Sequence, residues 1–386
     1  MAGRDARRAT DVTMSDDQQR VAIRVDASTR IGTGHVTRCL TLADTLTRRG
    51  ATVEFVCRAA NGDLQDQIVG RGYRVRQLSA DEGRASTTDE DRTPHADWLE
   101  TDWRTDAEQT VEALSDATKR PTWLVVDHYA LDARWQRHLR PFVGRILAID
   151  DLADRPHVAD VVLDQNYAVS DDRYAAIVPA SSDVLQGPRF AVIDDVYRDV
   201  RAALPPRSGR CARWIVFFGG VDLLNETHKV LAAMAVSRWR AMPVDVVVGA
   251  GNPHRQAVAE SVRSLPQATL HVQVPNLAPL FAAADLAIGA GGTTTWERCC
   301  LGVPSALVAT ATNQVPTLEA LGARGFITYL GPHDHVTVDD YLQAFEMAED
   351  RGRLRDLARR CMALVDGNGA GRVADAMGIA DPTGSP

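Results

Sequence analysis

No apolar run in this 386-residue sequence reaches the length of about 20 residues that a membrane-spanning helix needs. The N-terminal residues also lack the apolar core of a secretory signal. Positive charge is not in excess: 43 Lys and Arg stand against 51 Asp and Glu, a net charge of -8, which argues against a broad basic face for nucleic acid or anionic lipid. The six cysteines (Cys39, Cys57, Cys211, Cys299, Cys300 and Cys361) contain no C-x-x-C pair. Most sit in apolar segments, the pattern of buried thiols in a reducing compartment. The expectation is a cytoplasmic, monomeric protein with no nucleic-acid or membrane partner, which must capture any anionic ligand locally.

The length is too great for one ordinary domain and sufficient for two cores. Residues 1–19 are charged and nearly free of large apolar side chains, so they cannot repay the entropy of ordering; a disordered leader is expected, with Met14 as an alternative start. From Val21 onward, short β-branched runs alternate with amphipathic stretches, the rhythm of a parallel open sheet. Strands are expected at 21–25, 51–57, 73–78, 123–126, 146–149, 161–163 and 184–185, with helices near 35–49 and 107–118. Around Leu204-Pro205-Pro206-Arg207-Ser208-Gly209 the composition turns linker-like, and Trp214-Ile215-Val216-Phe217-Phe218 opens a second alternation. The expected division is a first Rossmann-like domain over 20–203, a linker over 204–211, a second such domain over 212–378 and a tail over 379–386. A cleft between two such domains is the natural ligand site.

Three strand-to-loop junctions carry candidate chemistry. In Gly32-Thr33-Gly34-His35 the glycines allow a tight turn before a helix, and His35 stands at its mouth. A histidine there is suited to taking a proton from water near neutral pH, or it is a capping or merely exposed residue. Gly289-Ala290-Gly291-Gly292-Thr293-Thr294-Thr295-Trp296-Glu297 is more informative, because glycines, amides and threonine hydroxyls suit a phosphate. Glu297 is placed to accept the hydroxyls of a ribose, or to close a capping box. Phe218-Gly219-Gly220-Val221-Asp222 repeats the junction and either faces the phosphates or simply turns the chain. Asn313-Gln314 offers an amide pair for orienting a ligand, or an N-cap.

Two acidic or histidine-rich clusters point less well to a metal. Asp89-Glu90-Asp91 has D-x-D spacing but lies in a charged, Ser/Thr-rich stretch, and His333-Asp334-His335 lies in a Gly-Pro loop without further ligands. Neither a metal nor a cofactor is expected.

Taken together, Arg24-Val25-Asp26-Ala27-Ser28, Ile31-Gly32-Thr33-Gly34-His35, Arg38-Cys39-Leu40, Val126-Asp127-His128-Tyr129, Ile149-Asp150-Asp151-Leu152-Ala153, Leu163-Asp164-Gln165-Asn166-Tyr167 and the 289–302 segment resemble the UDP-sugar hydrolases of pseudaminic acid biosynthesis, over roughly residues 21–370. The resemblance implies a two-domain GT-B fold, shared with the glycosyltransferase that makes lipid II. It also implies hydrolysis of UDP-2,4-diacetamido-2,4,6-trideoxy-β-L-altropyranose to free sugar and UDP. It makes His35 the base for water and sets Asp26, Gly34, Tyr129 and Asn313 on the sugar side. Gly219, Gly220, Gly291, Gly292, Thr293, Thr294, Glu297 and Gln314 fall on the UDP side. One departure is Val221, where the family carries a hydroxyl residue. A GT-B transferase using the same sugar and a non-catalytic nucleotide-sugar binder are the alternative readings.

Overall fold

The computed structural model describes residues 19–79, 95–115, 119–168, 170 and 172–382. Nearly all of the expected leader, the Asp89-Glu90-Asp91 triplet and the last residues of the tail lie outside the described residues.

The first half runs β1 (Arg20–Val25), α1 (Gly34–Arg48), β2 (Thr52–Arg58), α2 (Gln65–Gly70), β3 (Arg74–Leu78), α3 (Trp103–Ser115), β4 (Trp123–Asp127), α4 (Ala133–Leu139), β5 (Arg145–Ile149), β6 (Val161–Asp164) and β7 (Asp183–Gln186). These strands make one parallel sheet in the order β3-β2-β1-β4-β5-β6-β7. Successive side chains feed opposite cores: Val21, Ile23 and Val25 pack on one face of the sheet, Ala22 with Leu124 and Val126 on the other. Burial on both faces is why the strands read as near-continuous apolar runs. Helix α3 begins earlier than its apolar pattern suggests, because the Asp102 carboxylate accepts the Arg104 and Thr105 amides at 2.9 and 3.1 Å and caps it.

Helix α5 (Asp195–Ala203) leads into the second half: β8 (Trp214–Phe217), α6 (Glu226–Val236), β9 (Val244–Val248), α7 (Arg255–Arg263), β10 (Ala268–Val272), α8 (Ala278–Ala283), β11 (Leu286–Ala290), α9 (Thr294–Cys300), β12 (Ser305–Ala309), α10 (Val315–Ala323) and β13 (Thr328–Pro332). They form a second parallel sheet, β10-β9-β8-β11-β12-β13, with Trp214 and Val216 in one core and Ile215 in the other. Helices α11 (Val338–Phe345), α12 (Arg351–Leu364) and α13 (Gly369–Ala376) complete the chain.

The last helix corrects the expected span of the second domain. Ala370, Val373, Ala374 and Met377 join the core built on β1 and α1, and the Trp123 indole donates to the Met377 carbonyl at 3.0 Å. Residues 369–379 therefore pack with the first sheet, where their apolar stripe finds its partner.

Strand order reverses between β1 and β4 in one sheet and between β8 and β11 in the other. A crevice opens beyond the strand ends at each such point. The histidine loop and the Gly291 loop each leave a strand at one of these crevices.

Candidate functional site

A cavity of 510 Å3 is lined from the first sheet by Arg30, Ile31, Gly34, His35, Arg38, His95, Trp98, Tyr129, Asp151, Gln165 and Asn166. The second contributes Gly291, Gly292, Thr293, Trp296, Ala311, Thr312, Asn313, Gln314 and Thr317. The two walls meet closely, since a Cβ added to Gly34 would lie 3.8 Å from the Thr293 hydroxyl oxygen.

His35 sits at the start of α1 and is only 8 % exposed. Its Nδ1 lies 2.6 Å from Oδ1 of the fully buried Asp127, at the end of β4. Arg38, one turn further along α1, donates through Nε to Asp127 Oδ2 at 2.6 Å and through Nη2 to Oδ1 at 2.7 Å. Burial alone would raise the Asp127 pKa; Arg38 and His35 outweigh it and hold the carboxyl well below the usual range. An ionised carboxylate only accepts, so Asp127 keeps the imidazole proton on Nδ1 and leaves Nε2 as the basic atom.

Behind this pair the network continues. Arg38 Nη1 donates to Asp151 Oδ2 at 2.7 Å, the Tyr129 hydroxyl donates to the same oxygen, and Asn166 Nδ2 donates to Asp151 Oδ1 at 2.9 Å. Burial first and Asp151 second push the Tyr129 phenol far up, so it stays a donor. Burial and the nearby Asp151 likewise push Asp164 up to about 7, against the pull of Arg173. The Tyr129 ring packs edge-on to His35 at 4.6 Å and stacks on Trp98 at 5.4 Å. His95 lies 4.7 Å from the Trp98 ring, its pKa lowered by burial. Arg30 donates to the Asp97 carbonyl at 3.1 Å and pairs with no carboxylate among the described residues.

The second wall is built differently. The Gly291 amide is used in the sheet, donating to the Val308 carbonyl at 3.1 Å, whereas the amides of Gly292, Thr293 and Thr294 find no acceptor among the described residues. The Thr293 side chain makes no cap bond to α9, so the capping-box reading of this segment is not realised. The amides of Gly292 and Thr293 and the Thr293 hydroxyl, unpartnered among the described residues, belong to residues that line the cavity and suit phosphate oxygens. Gly291 is required for packing, because a Cβ there would lie 2.3 Å from Leu318 Cδ1. Gln314 Oε1 accepts the Thr310 amide at 2.9 Å, which turns its Nε2 outward.

The cavity thus gathers Gly34, His35, Tyr129, Asn313, Gln314, Gly291, Gly292 and Thr293 from the expected set, and leaves others outside its walls. Asp26 corrects an expectation: buried at 4 % exposure, it takes Arg24 Nη1 and Nη2 at 2.6 and 2.7 Å and the Arg58 amide at 2.8 Å. Its oxygens are committed to holding Arg24, not turned to the cavity. Thr294 and Glu297 lie along α9, outside the cavity walls. Glu297 neighbours Tyr197 of α5, while its Oε2 is buried without a partner among the described residues and burial pushes its pKa up to about 7. Gly219 and Gly220 follow β8 away from the cavity, and Gly220 abuts Gly249, whose added Cβ would lie 2.6 Å from the Gly220 carbonyl oxygen. Val221 is 39 % exposed, beside exposed Leu223 and Leu224, while Asp222 accepts the Glu226 and Thr227 amides and caps α6.

Sequence reasoning gave no role to Asp127, Arg38, Asp151, Gln165 or Asn166, although all lie in the quoted motifs; Trp98 and His95 carried no signal. Parallel order supplies what was missing, since it brings the carboxyl ends of β4, β5 and β6 side by side. Among the described residues no group of three or more His, Cys, Asp or Glu is placed to hold a metal ion, and no helix is long and apolar enough to cross a membrane.

No protein-family model matches the sequence. The chain is 22 % identical over 312 residues to UDP-2,4-diacetamido-2,4,6-trideoxy-beta-L-altropyranose hydrolase of Campylobacter jejuni, covering 80 % of this chain and 97 % of that one. It is 27 % identical over 217 residues to spore coat polysaccharide biosynthesis protein SpsG of Bacillus subtilis, covering 56 % of this chain and 63 % of that one, just under two thirds of its length. MurG of Acinetobacter baumannii superposes with a TM-score of 0.66 at 14 % identity over 94 % of this chain and 100 % of that one. The calicheamicin glycosyltransferase CalG4 superposes with a TM-score of 0.59 at 16 % identity over 96 % of this chain and 100 % of that one. With two parallel-sheet α/β domains arranged as in MurG, the chain has the GT-B fold.

Proposed function

We propose that this protein is a UDP-sugar hydrolase, cleaving a UDP-linked 2,4-diacetamido-2,4,6-trideoxy sugar of the L-altrose form to free sugar and UDP. The observation that carries the reading is the His35–Asp127 pair at 2.6 Å, opening onto a cavity whose opposite wall offers the amides of Gly292 and Thr293, unused among the described residues. The homology to the Campylobacter hydrolase supports the same reaction.

In this mechanism the diphosphate lies against Gly292 and Thr293, and the sugar reaches across to His35. A water oxygen bonds to the anomeric carbon while the bond from that carbon to the diphosphate oxygen breaks, with inversion. UDP leaves with the electron pair, and His35 Nε2 takes the water proton. Amides and the Thr293 hydroxyl, fixed in advance, stabilise the charge that builds on the leaving oxygen, and Arg30 adds a cation at the mouth. Glu297 lies beyond the cavity on the same helix and grips the ribose hydroxyls.

The test is turnover of this sugar nucleotide in ¹⁸O-water. Release of UDP with ¹⁸O in the sugar is expected; ¹⁸O in the phosphate, or no release, overturns the mechanism. The glycosyltransferases among the structural neighbours favour a second reading, in which His35 deprotonates an acceptor hydroxyl. Liberation of free sugar by purified protein without acceptor separates the two.

A further inference from the structure

The adjacent residues Gln165 and Asn166, at the end of β6, both line the cavity and are locked with opposite polarity. Gln165 is 2 % exposed, and its Oε1 accepts the Val192 amide at 3.0 Å, so its Nε2, unpartnered among the described residues, is a donor. Asn166 donates Nδ2 to Asp151 at 2.9 Å, so its Oδ1, unpartnered among the described residues, is an acceptor. Neither amide is free to flip, because a flip would set donor against donor at Val192 and oxygen against oxygen at Asp151. One donor and one acceptor on adjacent residues of the same cavity are the complement of a secondary amide, which offers a carbonyl oxygen and an N–H. A sugar hydroxyl, which rotates to suit either neighbour, needs no such opposed pair. The stacked Trp98 and Tyr129 rings on the same wall give an apolar surface of the kind an acyl methyl covers.

We propose that Gln165 and Asn166 together read one acylamino substituent of the sugar, Gln165 donating to its carbonyl and Asn166 accepting its N–H. This rests on the cavity being a UDP-sugar site, and it names the residues that set specificity there. Asp151 is the positioning residue behind Asn166, and is itself held by Arg38 and Tyr129.

The experiment compares kcat/KM for the diacetamido sugar nucleotide with that for counterparts carrying a hydroxyl in place of each acetamido group, alongside UDP affinity by calorimetry. For the native protein the preference for one acetamido group is expected to be about 10²-fold or more, as in sites built to hydrogen-bond a substrate group. Gln165→Glu keeps an acceptor for Val192 but turns the cavity-facing donor into an acceptor; it is expected to lower that preference at least about tenfold with UDP affinity held. Asn166→Ser withdraws the acceptor while Arg38 and Tyr129 still hold Asp151, and is expected to do the same. An unchanged preference in variants that bind UDP overturns the proposal. Native protein that binds UDP yet does not distinguish acetamido from hydroxyl also overturns it and leaves the nucleotide site standing. Failure of the native protein to bind UDP removes the underlying reading, and the proposal with it.

Discussion

The two walls of the cleft are made of different materials. On the first-sheet side every feature is a side chain: His35, Asp127, Arg38, Asp151 and Asn166 form one continuous chain of short polar contacts behind an aromatic surface. On the second-sheet side the main feature is backbone, with Gly292 and Thr293 presenting amides that have no acceptor among the described residues. A side-chain wall is broken by deleting a functional group and leaves binding on the other wall intact. A backbone wall cannot be deleted, only obstructed. The contrast matches the division of labour proposed for the reaction, with proton transfer on one side and charge stabilisation on the other.

The sharpest break is His35→Ala. With the base gone and the amide wall untouched, kcat is expected to fall by about 10² to 10⁴. UDP affinity, measured by calorimetry, should stay within about twofold, because the amide wall remains. Unchanged turnover would end the assignment of His35 as the base.

Asp127→Asn tests whether the wall acts as a unit. An amide in place of the carboxylate no longer fixes the imidazole proton on Nδ1, and kcat is expected to fall by about 10², with UDP affinity again held. The double variant with His35→Ala should be no slower than His35→Ala alone, since both remove one device. A multiplicative loss in the double variant would show that Asp127 works independently of His35. The variant is expected to fold, since Arg38 keeps Asp151 as a partner, and circular dichroism and melting check this.

How far the sequence disclosed these walls follows from their materials. Strand positions were legible because burial on both faces leaves near-continuous apolar runs, as at Trp123–Asp127 and Trp214–Phe217. Gly291, Gly292 and Thr293 were legible as lining residues because small residues between a strand and a helix stand out in a sequence, and all three line the cavity. The Asp127–His35 contact was not, as 92 residues separate the partners and only the placement of β4 beside β1 brings them together. Asp26 misled for the same reason: a carboxylate at a strand end looks identical whether it faces ligand or a buried arginine, and here Arg24 takes it. The last helix was misassigned because an apolar stripe does not say which core it will cover, and α13 covers that of α1.

Gly292→Ala breaks the other wall. A Cβ there meets nothing closer than Gln314 Nε2 at 4.0 Å, so the fold has room for it. The methyl stands where phosphate oxygens would approach, and UDP affinity is expected to fall about tenfold, or about 1.4 kcal/mol. The melting temperature should hardly move. Unaltered UDP affinity in a folded Gly292→Ala would place the diphosphate elsewhere. Gly291→Ala is the control that fails for a different reason, since its Cβ would lie 2.3 Å from Leu318 Cδ1 and strain the packing itself.

The smallest effect is a pH dependence from the second-sheet side, where Glu297 is the one titrating group assigned to the nucleotide. Burial pushes its pKa up to about 7, against the opposing influence of the neighbouring Tyr197. Accepting two ribose hydroxyls favours the ionised carboxylate, so the bound form has the lower pKa. Below the free-protein value, binding must then release a proton, and affinity falls as pH falls. Affinity is constant above that value, where the carboxylate is already ionised. For a group near 7, UDP affinity is expected to weaken about threefold between about pH 7.5 and about pH 6.5. Calorimetry in buffers of differing ionisation enthalpy reads the proton directly, and Glu297→Gln should abolish both the release and the slope. A slope that survives Glu297→Gln but disappears in His35→Ala would move the titrating group to the other wall and dissolve the division between them.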